Sequence, residues 1–386
     1  MAEIVSVHIF PVKSFFSVIF TKACVRLGNH GNPYREIANP RMKPRLAMNT
    51  QEVPRPRPAV MADVAALAQV SYQTVSRVLH DSPNVHRDTR ERVLTAIRQL
   101  DYRPNLMAQA LVTGHSRTLG VVSFDTTLYG PASTLLGIEQ AAHGAGYAVS
   151  IASLQSLNRP SMLGAIDRLQ GQGVEGIIVI APQRSAVNAL LHLSHRVPLV
   201  AVEAGPDESV PVVAVDQFAG AAAATRHLLD LGHRNVWHLA GPPDFLEAEL
   251  RIAGWKATLK AAGIQPPPFI RGDWSARSGY EVGQRLIQQP EVTAVFVGND
   301  QMALGLLRAL HEAGRAIPKD ISVVGFDDIP EAAYFTPPLT TIRQDFPEAG
   351  RRCLQLLVTL IEARENPANV MVDPELVVRG STTSMR

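Results

Sequence analysis

Two hydrophobic rhythms divide this chain. From Met61 to Leu79, MADVAALAQVSYQTVSRVL, the small or apolar Val64, Ala65, Ala68, Val70, Val75 and Val78 recur at helical spacing. That spacing predicts two short helices packed through one stripe and joined by a tight turn. Ser71 stands where the second helix begins and is a good N-cap. Arg87 to Leu100 repeats the helical rhythm with Val93, Leu94, Ile97 and Leu100 on one face, and three such helices can bury a small core. After Thr118 the rhythm changes. The short apolar runs LGVVSF, YAVSIAS, GIIVIAP and VPLVAVE alternate with helical stretches at Pro131 to Gly146 and Arg159 to Gly171, the pattern of βαβ units on a parallel sheet. A second series opens at VPVVAVD and continues through NVWHLAG, AVFVGND and ISVVGFDD. Two series of similar length predict two sheet subdomains side by side, with TTIRQDF and VMVDPELVVRGST as strands that cross between them.

The polar positions of the first region point outward. Tyr72, Gln73 and Arg77 lie off the apolar stripe of the second helix, where side chains can reach base edges in the major groove of DNA, Arg pairing with guanine and Gln with adenine. A plain helical hairpin on a protein surface would show the same window. In the segment DYRPNLMAQALVTGHSRT, Pro104 precedes a short helix from Asn105 to Val112, and Gly114 ends it. A helix this short is not stable alone. Its Leu111 has two readings: a core residue, or a wedge between base steps in the minor groove. Charge favours the nucleic-acid reading. Arg55 to Arg117 holds nine Arg, no Lys and five acidic residues, a local +4 in a chain of net charge +2, and concentrated positive charge is what phosphate binding by counterion release needs.

In parallel sheets, ligands sit beyond the carboxyl ends of the strands. The loops there are polar, and Arg251, Asn299, Asp327 and Gln344, with Trp274 as a flat wall, suit a sugar, whose hydroxyls want paired polar partners and whose ring wants an aromatic face. Each residue also has a structural reading: Asn299 and Asp327 as caps, Trp274 as core.

Composition narrows the rest. The length of 386 residues suits two or three domains, and 46% hydrophobic residues suffice for a large core. Cys24 and Cys353 are the only cysteines and stand far apart in sequence, so no structural disulfide is expected and a reducing cytoplasm fits. No apolar run approaches about 18 residues, so no membrane span is expected. An enzyme is disfavoured: no GxGxxG opens a helix after a strand, no P-loop or HExxH occurs, and His233 and His238 lack metal-ligand spacing to acidic partners. No cofactor or metal is expected. Residues 1 to 57 carry no recognisable domain. VSVHIFPVKSFFSVIF is interrupted by Lys13 and makes a poor secretion signal, so this stretch is expected to be a disordered extension, with a translation start at Met48 and PRPRP as a stiff spacer.

The motifs VSYQTVSRV, TRERV and YRPNLMAQAL resemble the DNA-binding domain and hinge helix of the lactose-repressor family of bacterial transcription regulators. The resemblance runs from about Val60 to the C-terminus, and RIAGW, GDWSARSGY, NDQMALG, ISVVGFDD and PPLTTIRQDF resemble the member that gives the family its name more than a generic one. It implies an α/β protein in parts: a three-helix helix-turn-helix domain over residues 58–103, a hinge helix and linker over 104–117, and over 118–386 a two-lobed, periplasmic-binding-protein-like domain with two parallel sheets. By this resemblance Tyr72, Gln73 and Arg77 read bases, while Ser71, Thr74, Ser76, Asn84 and Thr89 hold or position phosphates. Asn105 and Leu111 act at the hinge, with Leu111 as the wedge. Arg251, Trp274, Asn299, Asp327, Gln344 and Phe346 match effector-contacting positions, and Leu128, Gly130 and Pro131 an apolar wall.

Three positions depart from the pattern. Gln69 fills the turn that commonly carries Gly, at a cost of about 1 kcal/mol if φ is positive. Glu247 replaces a small Ser, and the loop APQRSA, with Arg184, lacks an acidic residue found there. The opposite charges of Arg184 and Glu247 would pair across the cleft or re-tune it for another sugar. The implied function is a repressor, active as a homodimer on a palindromic operator in the cytoplasm and released by a small carbohydrate such as a galactoside. The sequence shows no leucine-rich tail helix of the tetramer-building kind after its last strand, so a dimer is expected. The rival reading, a sugar-binding protein without a DNA role, would lack the helix-turn-helix.

Overall fold

The computed structural model describes residues 57–103, 110, 113–154, 156, 158–190, 197–205, 210–289, 291–363 and 367–385. Asn105, Leu111 and Cys24 lie outside the described residues, as does most of the expected hinge helix. Three helices come first: α1 (Met61–Ala68), α2 (Tyr72–Leu79) and α3 (Arg87–Gln99). Val64, Val75 and Val93 are fully buried where the three meet, with Ala65, Ala68, Val78, Ala96 and Tyr102 around them. Leu94, expected on the buried face of α3, is instead 40% exposed. Ala96 and Val93 are the buried residues of α3, and the buried stripe is narrower than the apolar pattern. Ser71 caps α2, its Oγ accepting the Thr74 N–H at 3.2 Å. The turn before it is left-handed at Gln69, with φ +53°, so the non-glycine residue carries the backbone cost that a glycine would avoid.

From Thr118 the chain builds two six-stranded sheets, each sandwiched between two helical layers. The first lobe contains β1 (Thr118–Phe124), β2 (Ala148–Leu154), β3 (Gly176–Ile180), β4 (Leu199–Val202) and β5 (Val212–Val215), with helices α4 (Tyr129–Gly144), α5 (Arg159–Gly171) and α6 (Arg184–Leu190). Helix α7 (Gln217–Asp230) then leads into the second lobe: β6 (Val236–Ala240), α8 (Leu246–Ala261), β7 (Ile270–Arg271), α9 (Ala276–Leu286), β8 (Ala294–Val297), α10 (Asp300–Glu312), β9 (Ser322–Asp327) and β10 (Thr340–Arg343). Helix α11 (Phe346–Ala363) and β11 (Val370–Val372) return to the first lobe, and β12 (Glu375–Val377) closes the second. The strand orders are β11-β5-β4-β3-β1-β2 and β12-β10-β9-β8-β6-β7.

Two expectations need correction. The run VPVVAVD does not open the second series: β5 pairs with β4 and β11 in the first sheet. The crossing falls one element later, because Asp216 caps α7 through the Ala219 N–H at 2.8 Å and that helix packs on the strands of the second sheet. An apolar run is the same in either sheet, so the pattern could not assign it. The second sheet is also not wholly parallel, since β12 runs antiparallel to β10. The described chain therefore passes between lobes at Asp216, at Gln344 and Asp345, and between β11 and β12.

Small residues set the geometry of the crossings. Gly137 on α4 faces Gly350 on α11, and a Cβ at Gly137 would lie 2.6 Å from the Phe346 carbonyl oxygen. This close approach brings the start of α11, with Phe346, against the start of α4.

Candidate ligand cleft and DNA-reading helix

The carboxyl ends of the strands in both lobes meet around a cavity of about 290 Å³. Of the eleven residues expected there, ten line it: Leu128, Gly130 and Pro131 from the first lobe, Glu247, Arg251, Trp274, Asn299 and Asp327 from the second, and Gln344 and Phe346 from the second crossover. Arg184 does not. It is exposed on α6, its backbone N–H donating to the Asp244 carbonyl at 2.8 Å, and it forms no ion pair with Glu247. The APQRSA loop brings Pro182 to the lining and no acidic residue. Glu203, one residue past β4, lines the cavity. It ends the run VPLVAVE, a position that the strand-end rule itself marks as a candidate.

Arg251, on α8, is the cationic centre. Its guanidinium stacks 3.8 Å from the Phe326 ring centroid, its Nε donates to Gln217 Oε1 at 2.9 Å, Nη1 donates to the Gly298 carbonyl, and Nη2 lies 3.7 Å from Asp327 Oδ1. Gln344 Nε2 also donates to Asp327 Oδ1, at 2.6 Å. Gln217, absent from the sequence expectations, joins the lobes: its Nε2 donates to Glu203 Oε2 at 3.3 Å and to Gln344 Oε1 at 2.8 Å.

Burial raises every carboxyl group of this network. Glu203 is pushed up to about 8 by desolvation and then by the nearby Glu247 carboxylate. Asp327 rises to about 7 through desolvation, although Arg251 pulls it down. Glu247 is raised by desolvation against the same pull. Beneath them Asp300 is held well above its usual range by burial and by Asp327, while accepting from Thr341 Oγ1 at 2.6 Å and the Ile329 N–H at 3.0 Å.

The wall opposite is aromatic. Trp274 is buried, with its benzo edge pressed against Gly241, where any Cβ would collide with the ring. Its backbone is left-handed, φ +73°, and its carbonyl accepts from Asn299 Nδ2 at 3.0 Å. The indole N–H is buried and has no hydrogen-bond partner among the described residues. Asn299 Oδ1 caps α10 through the Met302 N–H at 2.9 Å, and the residue also lines the cavity. His238 lies outside the cavity lining. Its Nδ1 pairs with the Phe296 carbonyl at 2.9 Å, and burial presses it down to about 3, so it is a neutral core group.

On the helix-turn-helix, Tyr72, Gln73 and Arg77 are exposed on the side of α2 away from buried Val75 and Val78, with Tyr72 59% exposed. Ser71 and Asn84 are exposed, and Thr74, Ser76 and Thr89 partly so. Arg90 Nη1 ties the loop between α2 and α3 through Asp81 Oδ1 at 2.5 Å, and Nη2 through the Ser82 carbonyl at 2.6 Å.

A helix-turn-helix followed by a two-lobed domain with a polar cleft defines the class of ligand-responsive DNA-binding regulators. A family model described as bacterial regulatory proteins, lacI family, matches residues 60–105, and one described as a periplasmic binding protein-like domain matches 225–382. The chain is 35% identical over 329 residues to the lactose operon repressor of Escherichia coli strain K12, covering 84% of this chain and 91% of that one. It is 32% identical over 338 residues to the transcriptional repressor PurR of Haemophilus influenzae strain PittEE, covering 85% and 99%. A crystal structure of the lac repressor dimer bound to operator and the anti-inducer ONPF matches with a TM-score of 0.76 at 34% identity, over 85% of this chain and all of that one. A complex of the regulator CelR with cellobiose matches with a TM-score of 0.63 at 31% identity, over 84% and 99%. The chain belongs to the lacI family of bacterial regulatory proteins and is a DNA-binding transcription regulator. Among the described residues no helix is long and apolar enough to cross a membrane.

Proposed function

We propose that this chain is a cytoplasmic repressor that binds a palindromic operator as a homodimer and leaves it when a small carbohydrate fills the cleft between its lobes. Tyr72, Gln73 and Arg77 read base edges. Ser71, Thr74, Ser76, Asn84 and Thr89 hold the phosphate backbone, and Asn105 and Leu111 act at the hinge.

The observation that carries the carbohydrate reading is the pairing of a buried aromatic wall, Trp274 with Phe346, with amide, guanidinium and carboxyl groups on one cavity. A sugar ring packs its C–H face on the former and its hydroxyls on the latter. Relatives support it. One solved neighbour is a complex with cellobiose, and another is a lac repressor dimer on its operator. Dimerisation matches the two-fold symmetry of a palindrome.

Screening mono- and disaccharides for thermal stabilisation of the purified chain tests the reading, since a ligand that binds only the folded state raises its melting temperature. A sugar that stabilises the chain and releases it from operator DNA supports it. Stabilisation by no sugar overturns it.

A further inference from the structure

The cavity is unbalanced in charge. Glu203, Glu247, Asp273 and Asp327 line it, and Arg251 is the one cationic side chain among its lining residues. Arg251 is already engaged by Gln217, Gly298 and Asp327. Glu203 receives only neutral donors, the Val215 N–H at 3.0 Å and the Gln217 amide. Glu247, in the first turn of α8, receives no hydrogen bond and forms no ion pair among the described residues, although it lines a cavity beside a largely buried wall. Two carboxyl groups from opposite lobes thus face the same space; Arg251 attracts both from a distance but gives its hydrogen bonds to other groups, and neither carboxyl has a cationic partner in contact.

A neutral hydroxyl could donate one hydrogen bond to either group, but it brings no charge to offset the cost of ionising two carboxyl groups in a low-dielectric site. An ammonium group supplies three donors and the missing positive charge together. A metal ion is a poorer occupant, because no group of three or more His, Cys, Asp or Glu among the described residues could hold one.

Resting on the carbohydrate reading above, we propose that the effector is an amine-bearing sugar whose ammonium sits between Glu203 of one lobe and Glu247 of the other. The ring lies on Trp274 and Phe346, and the remaining hydroxyls face Arg251, Asn299 and Asp327. The ammonium joins the lobes electrostatically, so closure of the cleft and recognition of the amine are one event.

Calorimetry on the full chain at neutral pH tests this with D-glucosamine, D-galactosamine and the β-1,4-linked glucosamine disaccharide. Each is matched to its N-acetyl form and its hydroxyl form (D-glucose, D-galactose and cellobiose). The expected result is that at least one amine binds roughly tenfold tighter than both of its neutral counterparts, about 1.4 kcal/mol. Glu247→Gln and Glu203→Gln, checked for folding by thermal melts, should each bring that ratio close to one. A neutral sugar that binds as tightly as its amine overturns the amine assignment and leaves the carbohydrate reading standing. An amine preference that survives in both variants overturns the placement of the ammonium. Binding of no sugar in the panel overturns this proposal and the carbohydrate reading together.

Discussion

Gln217 Nε2 donates to Gln344 Oε1 at 2.8 Å, and this bond joins the two points at which the main chain first leaves and then re-enters the first lobe. Gln217 is the first residue of α7, and Gln344 follows β10. The same two amides reach Arg251, Glu203 and Asp327. The cleft and the inter-lobe hinge are therefore one hydrogen-bonded network. A ligand that takes Asp327 or Arg251 changes the bonds that hold the crossovers, and only such a difference between lobe arrangements can move the equilibrium.

Breaking that network should uncouple the two functions. In Gln217→Ala and in Gln344→Leu, operator affinity without sugar is expected to stay within roughly threefold of the parent, while the sugar-induced loss of affinity shrinks by about 1 to 2 kcal/mol of coupling. Fluorescence anisotropy with a labelled operator, with and without saturating sugar, reads both quantities. Undiminished coupling in both variants would separate the hinge from the cleft.

Arg77 stands exposed on α2, clear of the buried stripe that packs the three helices. Its replacement by Ala should cost about 1 to 3 kcal/mol on the cognate sequence and little on random DNA, with sugar binding unchanged. A gel-shift competition against scrambled duplex checks it, and equal losses on both sequences would assign Arg77 to the phosphates.

Trp274 brings a buried aromatic ring to the cavity lining. Trp274→Phe keeps an aromatic face but loses the N–H and the benzo edge that packs on Gly241, so it should weaken sugar affinity by about 1 kcal/mol and lower the melting temperature by less than Trp274→Ala does. Trp274→Ala should lose about 3 kcal/mol or more of stability as well, because it empties a buried aromatic site. Calorimetry beside thermal melts distinguishes the two. Unaltered affinity in both variants would remove Trp274 from the sugar site.

The raised carboxyl groups set a pH dependence of known sign. Glu203 lies near 8 in the fold against an ordinary 4.5, and Asp327 near 7 against 3.8. Protonated forms are thus favoured by folding. Their contribution is complete below about pH 4 and is lost as pH rises through 7 to 8. The ligand-free chain should lose on the order of 5 °C of melting temperature between pH 5 and pH 8 relative to Glu203→Gln, in which one such group no longer titrates. Parallel melting curves for the two proteins would contradict the burial of Glu203 as an ionisable group.

Much of this was legible in the chain because buried parallel strands are continuous apolar runs and their ends are where ligands sit. Arg251, Asn299, Asp327 and Gln344 could be read that way, and all four line the cavity. Glu203 obeys the same rule but closes an apolar run and reads as part of the strand. Arg184 and Glu247 could be read as a charge pair or as a re-tuned pocket because sequence carries charge without direction; in the fold Arg184 is exposed while Glu247 lines the cavity. Gln217 gave no signal. An amide at the start of a helix is ordinary, and its importance comes from a crossover that the apolar pattern placed one strand too early. Asn299 carried two readings, cap and site, and geometry gives it both positions at once.

The central claim is that occupancy of the cleft by a carbohydrate lowers affinity for operator DNA. It is tested most directly by anisotropy of a labelled palindrome, selected from a random pool by this chain, titrated with protein at fixed salt in the presence and absence of the most stabilising sugar. The account predicts that operator affinity falls roughly 5- to 150-fold at saturating sugar, and that Glu247→Gln needs more sugar for the same fall. Operator affinity unchanged or tightened by a sugar that binds the cleft would contradict it.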